Sequence, residues 1–338
     1  AAGYTPPDDT PSIRVGVTIF SDYTYTKAPK TTDADGNAIN SSVFSVARSY
    51  INITGNISHL IAFRVTPDVV RVGSDGGAAL NGGLAFRIKY AYAQFNLDDW
   101  ARGSFVRLGI QQTPWLDFIE APYRYRFQGT LFAEREGYFS SADAGASFRY
   151  SLPSNYGDVH VGVYNGENYN RAEVNDQKAF MFRGTLRPFA RSTPVLRGIR
   201  TTFFYDGDHY VKDAERKRLI GGLTFEHRYV NAGLEYLDAR DQTSVSNPEV
   251  HSKGYSFWVT PKSTKGWEGL LRFDHLTPNT GTSATSRSRR ILGIAYWFPV
   301  QGAVSTALLL DYDGQTFKDF TPALPKQQRI ALHALVVF

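Results

Sequence analysis

Apolar and polar residues alternate along most of this chain with a period of two. Residues 13–25 show the pattern clearly, with apolar side chains at Ile13, Val15 and Val17. Successive side chains of a β-strand point to opposite faces, so the alternation predicts strands with one apolar and one polar face. It recurs in about sixteen segments, each close to the roughly 9–11 residues of a tilted membrane strand. These segments are 13–25, 43–54, 59–66, 84–97, 104–111, 143–150, 158–165, 179–189, 196–205, 218–228, 230–238, 254–260, 267–275, 289–298, 303–312 and 329–338.

The connections between these segments alternate between long and short. The short ones are rich in turn formers, as in "TGN" and "PKSTKG". The long ones are 27–41, 73–82, 113–136, 166–176, 206–215, 241–250, 277–287 and 315–325. This organisation predicts an all-β fold, a transmembrane antiparallel β-barrel of about 16 strands. We expect residues 1–338 to form one barrel domain in a bacterial outer membrane.

The final segment, "RIALHALVVF", places apolar residues at every second position up to the last residue. An open sheet edge cannot persist in hydrocarbon, so we expect this strand to close the barrel against the first one. Phe338 would then lie at the membrane rim. A terminal phenylalanine preceded by alternating apolar residues resembles the signal that barrel-assembly machinery recognises. The alternative, an edge strand of a soluble sandwich, does not explain the alternating loop lengths.

Composition narrows the class of protein further. The absence of cysteine excludes disulfides, zinc–thiolate sites and thiol nucleophiles. Mean hydropathy is −0.31, which is compatible with lipid-facing strands because their polar face offsets the apolar one. No apolar run approaches the roughly 20 residues of a membrane-spanning helix. The start, "AAGYTPPDD", is typical of a mature chain after signal-peptide removal, in a Gram-negative cell outer membrane.

Basic residues concentrate at the polar positions of the alternating strands. These positions should face the barrel interior. The principal members are Arg48, Arg64, Arg87, Lys89, Arg107, Arg149, Arg183, Arg187 and Arg272, with Arg14, Arg200, Arg218, Arg289 and Arg329 beside them. Fewer acids share this parity: Asp22, Glu226, Glu235, Glu268, Asp274 and Asp311. Arginine binds carboxylate and phosphate oxygens through a planar fork, so a cationic interior should favour anions. Arginines that pair with acids and stiffen the wall remain the alternative.

Residues 113–136 form the longest connection and carry charges of both signs. They are Asp117, Glu120, Arg124, Arg126, Glu134, Arg135 and Glu136. Opposed charges across a narrow passage produce a transverse field and reduce its cross-section. We expect this segment to act as a constriction loop. The alternative is that its charges pair with one another and hold the loop against the wall.

Several stretches resemble the phosphate-selective porin O/P-like family. They are "RSYINITGNISHLIAFRVTPDV" (48–69), "IKYAYAQFNL" (88–97), "VRLGIQQTPWLDFIE" (106–120), "LFAERE" (131–136), "VGVYNGENYN" (161–170) and "MFRGTLRPFA" (181–190). The resemblance covers about the first 190 residues. It implies a sixteen-stranded, usually trimeric outer-membrane porin whose third extracellular loop folds into the lumen. It says little about the solute.

Aromatic residues lie near predicted strand ends, as expected of an interfacial girdle. The candidates are Tyr23, Tyr25, Tyr90, Tyr92, Tyr205, Tyr236, Tyr296, Trp297 and Phe298. The more specific alternative is a sugar-binding site in which sugar rings stack on a row of aromatic side chains. Trp115 and Trp258 are its best candidates.

Enzyme chemistry has little support in the sequence. The histidines show no paired ligand spacing, and His160 and Ser147 lie on adjacent strands without an acyl-transfer motif. The stretch 166–176 could bind calcium but lacks the ordered ligand spacing of a calcium loop. We therefore expect no enzymatic activity, no cofactor, no metal and no nucleic-acid partner.

Two functions are compatible with these patterns. The first is a water-filled channel for passive diffusion of small hydrophilic solutes, with an anion bias. The second is a plugged barrel acting as a structural scaffold or adhesin. The expected partners are small solutes or anions, outer-membrane lipids and further copies of the chain in a homotrimer.

Overall fold

The computed structural model describes residues 9–72, 82–173, 175–282, 285–299 and 304–338. Every predicted segment corresponds to a strand. The barrel strands are β1(Ser12–Ala28), β4(Ser42–Asn56), β5(Ile61–Arg71), β6(Leu84–Asn96), β7(Phe105–Gln112), β8(Ala142–Ser151), β9(Gly157–Tyr164), β10(Ala179–Leu186), β11(Ile199–Val211), β12(Ala214–His227), β13(Val230–Asp241), β14(Val250–Pro261), β15(Trp267–Thr277), β16(Ser286–Trp297), β17(Ser305–Lys318) and β18(Gln327–Val337). Two short strands, β2(Thr31–Thr32) and β3(Ala38–Ile39), form a small hairpin in the first long connection.

These strands form a closed antiparallel barrel of 16 strands, which confirms the predicted fold class. Each strand pairs with its neighbours in sequence, and β18 pairs with β1. The seam is extended by Phe338 and Val17, whose N–H groups each donate to the other's carbonyl oxygen at 2.9 Å. The final strand therefore closes the barrel, as its pattern indicates.

Two connections differ from the predicted lengths. The expected long link 206–215 is a two-residue turn, because β11 continues to Val211 and β12 begins at Ala214. On the opposite, short-turn end, residues 187–198 form the longest connection. Period-two patterning predicts the membrane-embedded part of a strand but not how far pairing continues beyond it. The expected link 73–82 lies almost entirely outside the described residues.

The outward face is apolar and the inward face is enclosed. In β17, Leu308 and Leu310 are 41% and 50% exposed, whereas Leu309 between them is fully buried. Aromatic side chains cluster on the outside near the short-turn end, where the Tyr296 ring lies 5.0 Å from that of Trp267. This arrangement is typical of an interfacial girdle.

Three expected girdle residues face the interior instead. A β-bulge opposite Thr66 and Pro67 shifts the parity of β6, so Tyr90 and Tyr92 turn inward. There Arg64 lies over the Tyr90 ring at 4.5 Å. Trp297 also points inward, because adjacent residues of one strand cannot share a face with Tyr296. Bulges leave no period-two signal in the sequence, which explains the first two errors.

The segment between β7 and β8 folds into the barrel and contains two helices, α1(Pro114–Tyr123) and α2(Phe132–Arg135). Its aromatic side chains fill recesses over inward-facing glycines of the wall. A Cβ atom at Gly222 would lie 2.8 Å from the Trp115 ring, and one at Gly254 would lie 2.7 Å from the Phe132 ring. The loop is therefore packed against the wall as a protein core is packed.

The closing seam makes one glycine indispensable. A Cβ atom at Gly16 would lie 2.6 Å from the Phe338 carbonyl oxygen, so Gly16→Val should displace β18 and cost about 1–3 kcal/mol, the usual cost of overpacking. Gly221→Val is the matched control, because a Cβ atom there meets nothing within 4 Å. The share of protein that migrates as folded barrel in unboiled gels should fall for Gly16→Val alone. Equal yields for both variants would contradict this account of the seam.

The chain's first described residues are tethered by a pH-sensitive contact. Asp9 Oδ1 lies 2.6 Å from His59 Nδ1 and accepts the His59 backbone N–H at 2.9 Å. The hydrogen bond with Asp9 raises the pKa of His59, and the same bond lowers the pKa of Asp9. The tether is therefore fully present below the ordinary histidine pKa and is lost as pH rises through the raised value. At acid pH it is lost as pH falls through the lowered aspartate pKa.

Hydrogen exchange of residues 9–12, corrected for intrinsic rates, should show less protection at pH 9 than at pH 6. The His59→Gln variant should show equally weak protection at both pH values. Protection in the parent protein that does not change between the two pH values would refute the tether.

No helix among the described residues is both long and apolar enough to cross a membrane.

Candidate functional site

The interior loop is fixed to the wall by a buried network centred on Asp274 of β15. Arg272 donates to both Asp274 carboxylate oxygens at 2.8 Å, and Arg135 of the loop approaches the same carboxylate at 3.5 Å. Arg272 also donates to the Tyr123 hydroxyl at 3.1 Å and to the Thr130 carbonyl at 3.2 Å. All three charged groups are nearly inaccessible to solvent. Arg272 thus connects the wall to both halves of the loop.

The other predicted loop charges are also paired. Within the loop, Arg126 bridges Glu120 at 2.8 Å and Glu134 at 2.9 Å. Three contacts join the loop to the wall: Arg124 to Glu268 at 2.9 Å, Asp117 to Arg107 at 3.6 Å and Glu136 to Arg287 at 2.5 Å. These pairs match the alternative in which the charges hold the loop in place.

The structure places the predicted basic residues in several kinds of setting. Four pair with a single acid: Arg107 with Asp117, Arg200 with Glu226, Arg218 with Asp241 and Arg272 with Asp274. Some share an aspartate, as described below. Others contact neutral groups: Arg64 donates to Asn52 and Thr66, and Lys89 donates to the Tyr50 hydroxyl at 3.0 Å. Arg187 lies in the short-turn connection and donates to the Arg197 carbonyl at 3.0 Å.

Three aspartates of the wall each bind two arginines from the flanking strands. We call these sets the shared-aspartate triads: Arg48–Asp68–Arg87 on β4, β5 and β6, Arg149–Asp158–Arg183 on β8, β9 and β10, and Arg289–Asp313–Arg329 on β16, β17 and β18. In the first, the two arginines lie 3.2 and 3.3 Å from one Asp68 oxygen. In the third, Arg289 and Arg329 approach Asp313 at 2.5 and 2.6 Å. The Arg183–Asp158 contact is a close hydrogen-bonded pair.

Each triad leaves one positive charge uncompensated and presents it inward. Asp68 and Asp313 are at most 2% exposed, whereas Arg48 and Arg329 are 27% and 38% exposed. Arg149 of the second triad is 33% exposed. Two arginines and one aspartate give +1, so the three triads contribute +3 of the chain's net charge of +5. A solute in the interior therefore meets guanidinium groups in front of buried carboxylates.

A cavity of about 860 Å³ lies inside the short-turn end of the barrel. Its lining includes the second triad, Arg187 and Arg200 on the wall side, and Asp117 and Phe118 of α1 on the loop side. It is large enough for a small hydrated solute. A smaller polar cavity of about 350 Å³ lies on the long-loop side and is lined by Arg135, Glu136 and Arg289, among others. Polar cavities thus lie on both sides of the loop.

Asp68, Asp158 and Asp313 are functional candidates that the sequence pattern did not predict. Each falls just beyond, or at the edge of, a predicted segment: 59–66, 158–165 and 303–312. If the alternation is extended by two residues, Asp68 falls on the same inward face as Arg64. Asp313 likewise falls on the same inward face as Asp311. For Asp68 and Asp313 the predicted strands ended too early, whereas Asp158 is the first residue of its predicted segment.

The sugar-stacking alternative is not supported by the positions of its candidates. Trp115 and Trp258 are both fully buried between the loop and the wall. Trp115 packs 6.1 Å from the Phe204 ring, and Trp258 packs 5.4 Å from the Tyr123 ring. Neither presents a ring face to a solute.

Ser147 and His160 do not contact one another. Ser147 donates to Gln111 at 2.6 Å, while His160 lies 4.0 Å from Asp117. In the described part of the chain, no group of acidic, histidine or cysteine side chains is arranged to hold a metal ion. The candidate calcium stretch 166–176 includes position 174, outside the described residues.

The class that the structure defines is a closed antiparallel β-barrel of sixteen strands with a loop folded into its interior. No family model matches this sequence, and no curated protein does. Solved structures share the fold across almost the whole chain. An anion-selective porin from Comamonas acidovorans is 10% identical, with a TM-score of 0.68 and coverage of 97% of this chain and 100% of that one.

Two further neighbours have the same architecture. The outer membrane channel DcaP of Acinetobacter baumannii is 12% identical, with a TM-score of 0.65 and coverage of 97% of each chain. OmpT, an outer membrane protein of Vibrio cholerae, is 11% identical in its trimer form, with a TM-score of 0.65 and coverage of 98% of this chain and 100% of that one. At these identities the likeness shows the fold alone.

The comparison corrects one prediction. The expected absence of enzymatic activity is wrong: the neighbours include four structures of OmpT, and one barrel fold can carry different activities. The exclusion rested on missing local motifs. A barrel assembles groups from distant parts of the sequence, as Asp117 and His160 illustrate, so spacing along the chain cannot exclude a catalytic grouping.

Proposed function

We propose that this chain is an outer-membrane porin that forms a water-filled channel for passive diffusion of small hydrophilic solutes and favours anions. The observation that carries the proposal is the set of shared-aspartate triads. They place uncompensated guanidinium groups on the inner wall, where the low-dielectric protein around the passage focuses their field. No covalent step is required, since solutes move down their own concentration gradient.

The triads lie on both sides of the interior loop. Asp68 and Asp313 lie towards the long-loop ends of their strands, whereas Asp158 lies at the short-turn end of β9. An anion entering from either end therefore meets a triad before it reaches residues 113–136. We propose that this loop is the constriction, where solutes are selected by size after the triads have attracted them by charge.

We further propose membership of the phosphate-selective porin O/P-like family, an outer-membrane location and a homotrimeric assembly. Support comes from the resembling stretches of the first 190 residues and from neighbours that include an anion-selective porin and a trimeric structure. Small outward residues at Ala144 and Ala146 permit close packing between barrels. The terminal Phe338, exposed at the seam, is the proposed assembly signal.

A plugged scaffold or adhesin is the second candidate, and one observation favours it. The loop forms a hydrophobic core inside the barrel: the Trp115, Tyr123, Tyr125 and Phe132 side chains are all fully buried. Inward residues of the wall, including Leu309, belong to the same core. If this core closes the passage completely, the barrel conducts nothing.

Single-channel recording separates the two candidates. Folded protein added to a planar bilayer should produce stepwise conductance increments, and liposomes that contain it should swell in small sugars faster than empty ones. The control is the same protein unfolded by boiling, which should give neither signal. Folded barrels that insert into the bilayer but carry no current would refute the porin and support the plugged scaffold.

A further inference from the structure

The outer wall contains an apolar groove near the short-turn end that the proposed channel does not use. It spans β9 to β13 and has a volume of about 710 Å³. Its shape follows from the strand register, which places Gly184, Phe203, Gly221 and Tyr236 in one row across neighbouring strands. Gly221 leaves open space beside the Phe203 ring, since a Cβ atom there would meet nothing within 4 Å. At Gly184 the missing side chain leaves a shallower recess, because the Phe182 ring lies 3.5 Å from where a Cβ atom would be.

The next row towards the short-turn end completes the groove. It contains Leu186, Thr201, Leu223 and Leu234, paired in that order across the strands. Among the groove-lining residues, the Phe203, Leu223 and Leu234 side chains are between 44% and 50% exposed. Such a surface is suited to an extended hydrocarbon chain lying roughly parallel to the strands.

A strongly basic rim adjoins the groove at its short-turn end. The connection 187–198 follows Leu186 directly and carries Arg187, Arg191 and Arg197 without any acidic residue. The turn 228–229 adds Arg228, which lies 4.5 Å from the Tyr229 ring centroid. The neighbouring turn 152–156 has no acidic residue either.

The cations of this rim lack carboxylate partners. Among the described residues, Arg187, Arg191, Arg197 and Arg228 make no ion pair within 4.0 Å, and their hydrogen bonds go to neutral groups: Arg187 donates to a backbone carbonyl and Arg191 to the Ser154 hydroxyl. Arg187 lines the interior cavity, which leaves Arg191, Arg197 and Arg228 as the guanidinium groups beside the apolar groove. Glu226 lines the same cavity as Arg197 and Arg228 but forms its ion pair with Arg200. The three rim guanidinium groups therefore lack a carboxylate of their own. A ligand with an anionic headgroup and an acyl chain would satisfy both parts at once.

The same rim exposes apolar side chains beside its arginines. Phe189, Val195 and Leu196 of the connection are each at least 39% exposed, and Tyr229 is 44% exposed. Alternating aromatic, aliphatic and arginine side chains are suited to the boundary between hydrocarbon and headgroups. The rim therefore lies at the depth where lipid phosphate would be found.

We propose that the groove and its basic rim bind an anionic phospholipid, with one acyl chain over Gly184 and Gly221 and the headgroup phosphate among Arg191, Arg197 and Arg228. Arginine forks match phosphate oxygens, and each basic residue near a membrane surface adds to the attraction of anionic lipid. The proposal rests on the proposed function only in requiring a membrane location. It does not require that the barrel conduct.

Native mass spectrometry of the detergent-solubilised barrel tests the proposal. Wild-type protein is mixed with dioleoylphosphatidylglycerol, with dioleoylphosphatidylcholine or with inorganic phosphate. Retention of one phosphatidylglycerol should exceed that of phosphatidylcholine, and phosphate alone should not be retained. Retention of inorganic phosphate to the same degree would assign the rim to free phosphate and overturn the lipid site.

Two variants examine the two halves of the site separately. Arg197→Gln with Arg228→Gln removes rim charge, and Gly184→Leu with Gly221→Leu fills the groove. Each should lower phosphatidylglycerol retention at least about fivefold, because each removes one of two coupled interactions. The controls are Lys318→Gln with Lys326→Gln at the long-loop end, and Ala334→Leu on the outward face of β18.

Retention that is unchanged in both test variants, or equally reduced in the controls, would overturn the proposal. If the groove instead joins two copies of the chain, the Gly184→Leu with Gly221→Leu variant should differ from the wild-type protein in oligomer mass even without phosphatidylglycerol. That result would assign the groove to a second copy instead.

Discussion

Replacing Arg272 by glutamine is expected to lower the free energy of unfolding by about 3–5 kcal/mol, the usual cost of leaving one member of a buried ion pair unpaired. Arg272 supplies both hydrogen bonds that neutralise the inner side of Asp274 and also holds Tyr123 and the Thr130 carbonyl. Without it, the Asp274 carboxylate keeps only the 3.5 Å contact with Arg135 and the Ser256 hydroxyl. The interior loop should then detach from β15 while the strands stay paired.

Two measurements on Arg272→Gln distinguish loop release from general destabilisation. Protease cleavage within 124–136 should become much faster, and single-channel current should become larger and noisier. The matched control is Arg290→Gln on the neighbouring strand, whose side chain is exposed and faces the Phe273 ring from outside. Cleavage rates and currents that match the parent protein in both variants would refute the anchoring role of Arg272.

Removing one arginine from each triad is expected to abolish most of the anion preference. In the triple variant Arg48→Gln, Arg149→Gln, Arg329→Gln, each aspartate keeps one arginine, so each triad changes from +1 to neutral. The chloride preference, measured as a reversal potential, should fall by at least about half, because fixed interior charge sets the local concentration of counter-ions. The barrel should still fold, since no aspartate is left without a cation.

The control for the triads removes the same net charge from the loops. Lys212, Lys318 and Lys326 are exposed outside the interior, and their replacement by glutamine should change the reversal potential far less. If the two triple variants shift the potential equally, net charge rather than triad position determines selectivity, and the role given to the shared aspartates is wrong.

The strands were predictable because a membrane barrel imposes the same period-two rule on every strand. Each of the segments corresponds to a strand of the barrel, and the apolar parity of the last segment correctly predicted the β1–β18 seam. The period-two rule cannot predict where a strand switches which of its residues face the interior. The bulge opposite Pro67 reversed the faces of Tyr90 and Tyr92, and pairing beyond the hydrocarbon shortened the β11–β12 turn to two residues.

The chemistry of the wall was only half predictable, because charge pairing in a barrel is not local in sequence. Parity placed Arg48, Arg87 and Arg183 on the inner face. It could not show that Asp68 and Asp158 lie between arginines of two different strands. Likewise, the loop charges were expected to face a passage, whereas Arg124 and Glu136 reach partners on β15 and β16. Such partners become apparent only once strand register and loop path are known.

The zero-current potential of the wild-type channel decides whether the inner wall conducts anions in preference to cations. It is measured in a planar bilayer under a potassium chloride gradient. We expect stepwise conductance and a reversal potential displaced towards the chloride equilibrium value. A displacement towards the potassium value would show the opposite selectivity. Carboxylates such as Glu120 and Glu134, and not the shared-aspartate triads, would then control what passes.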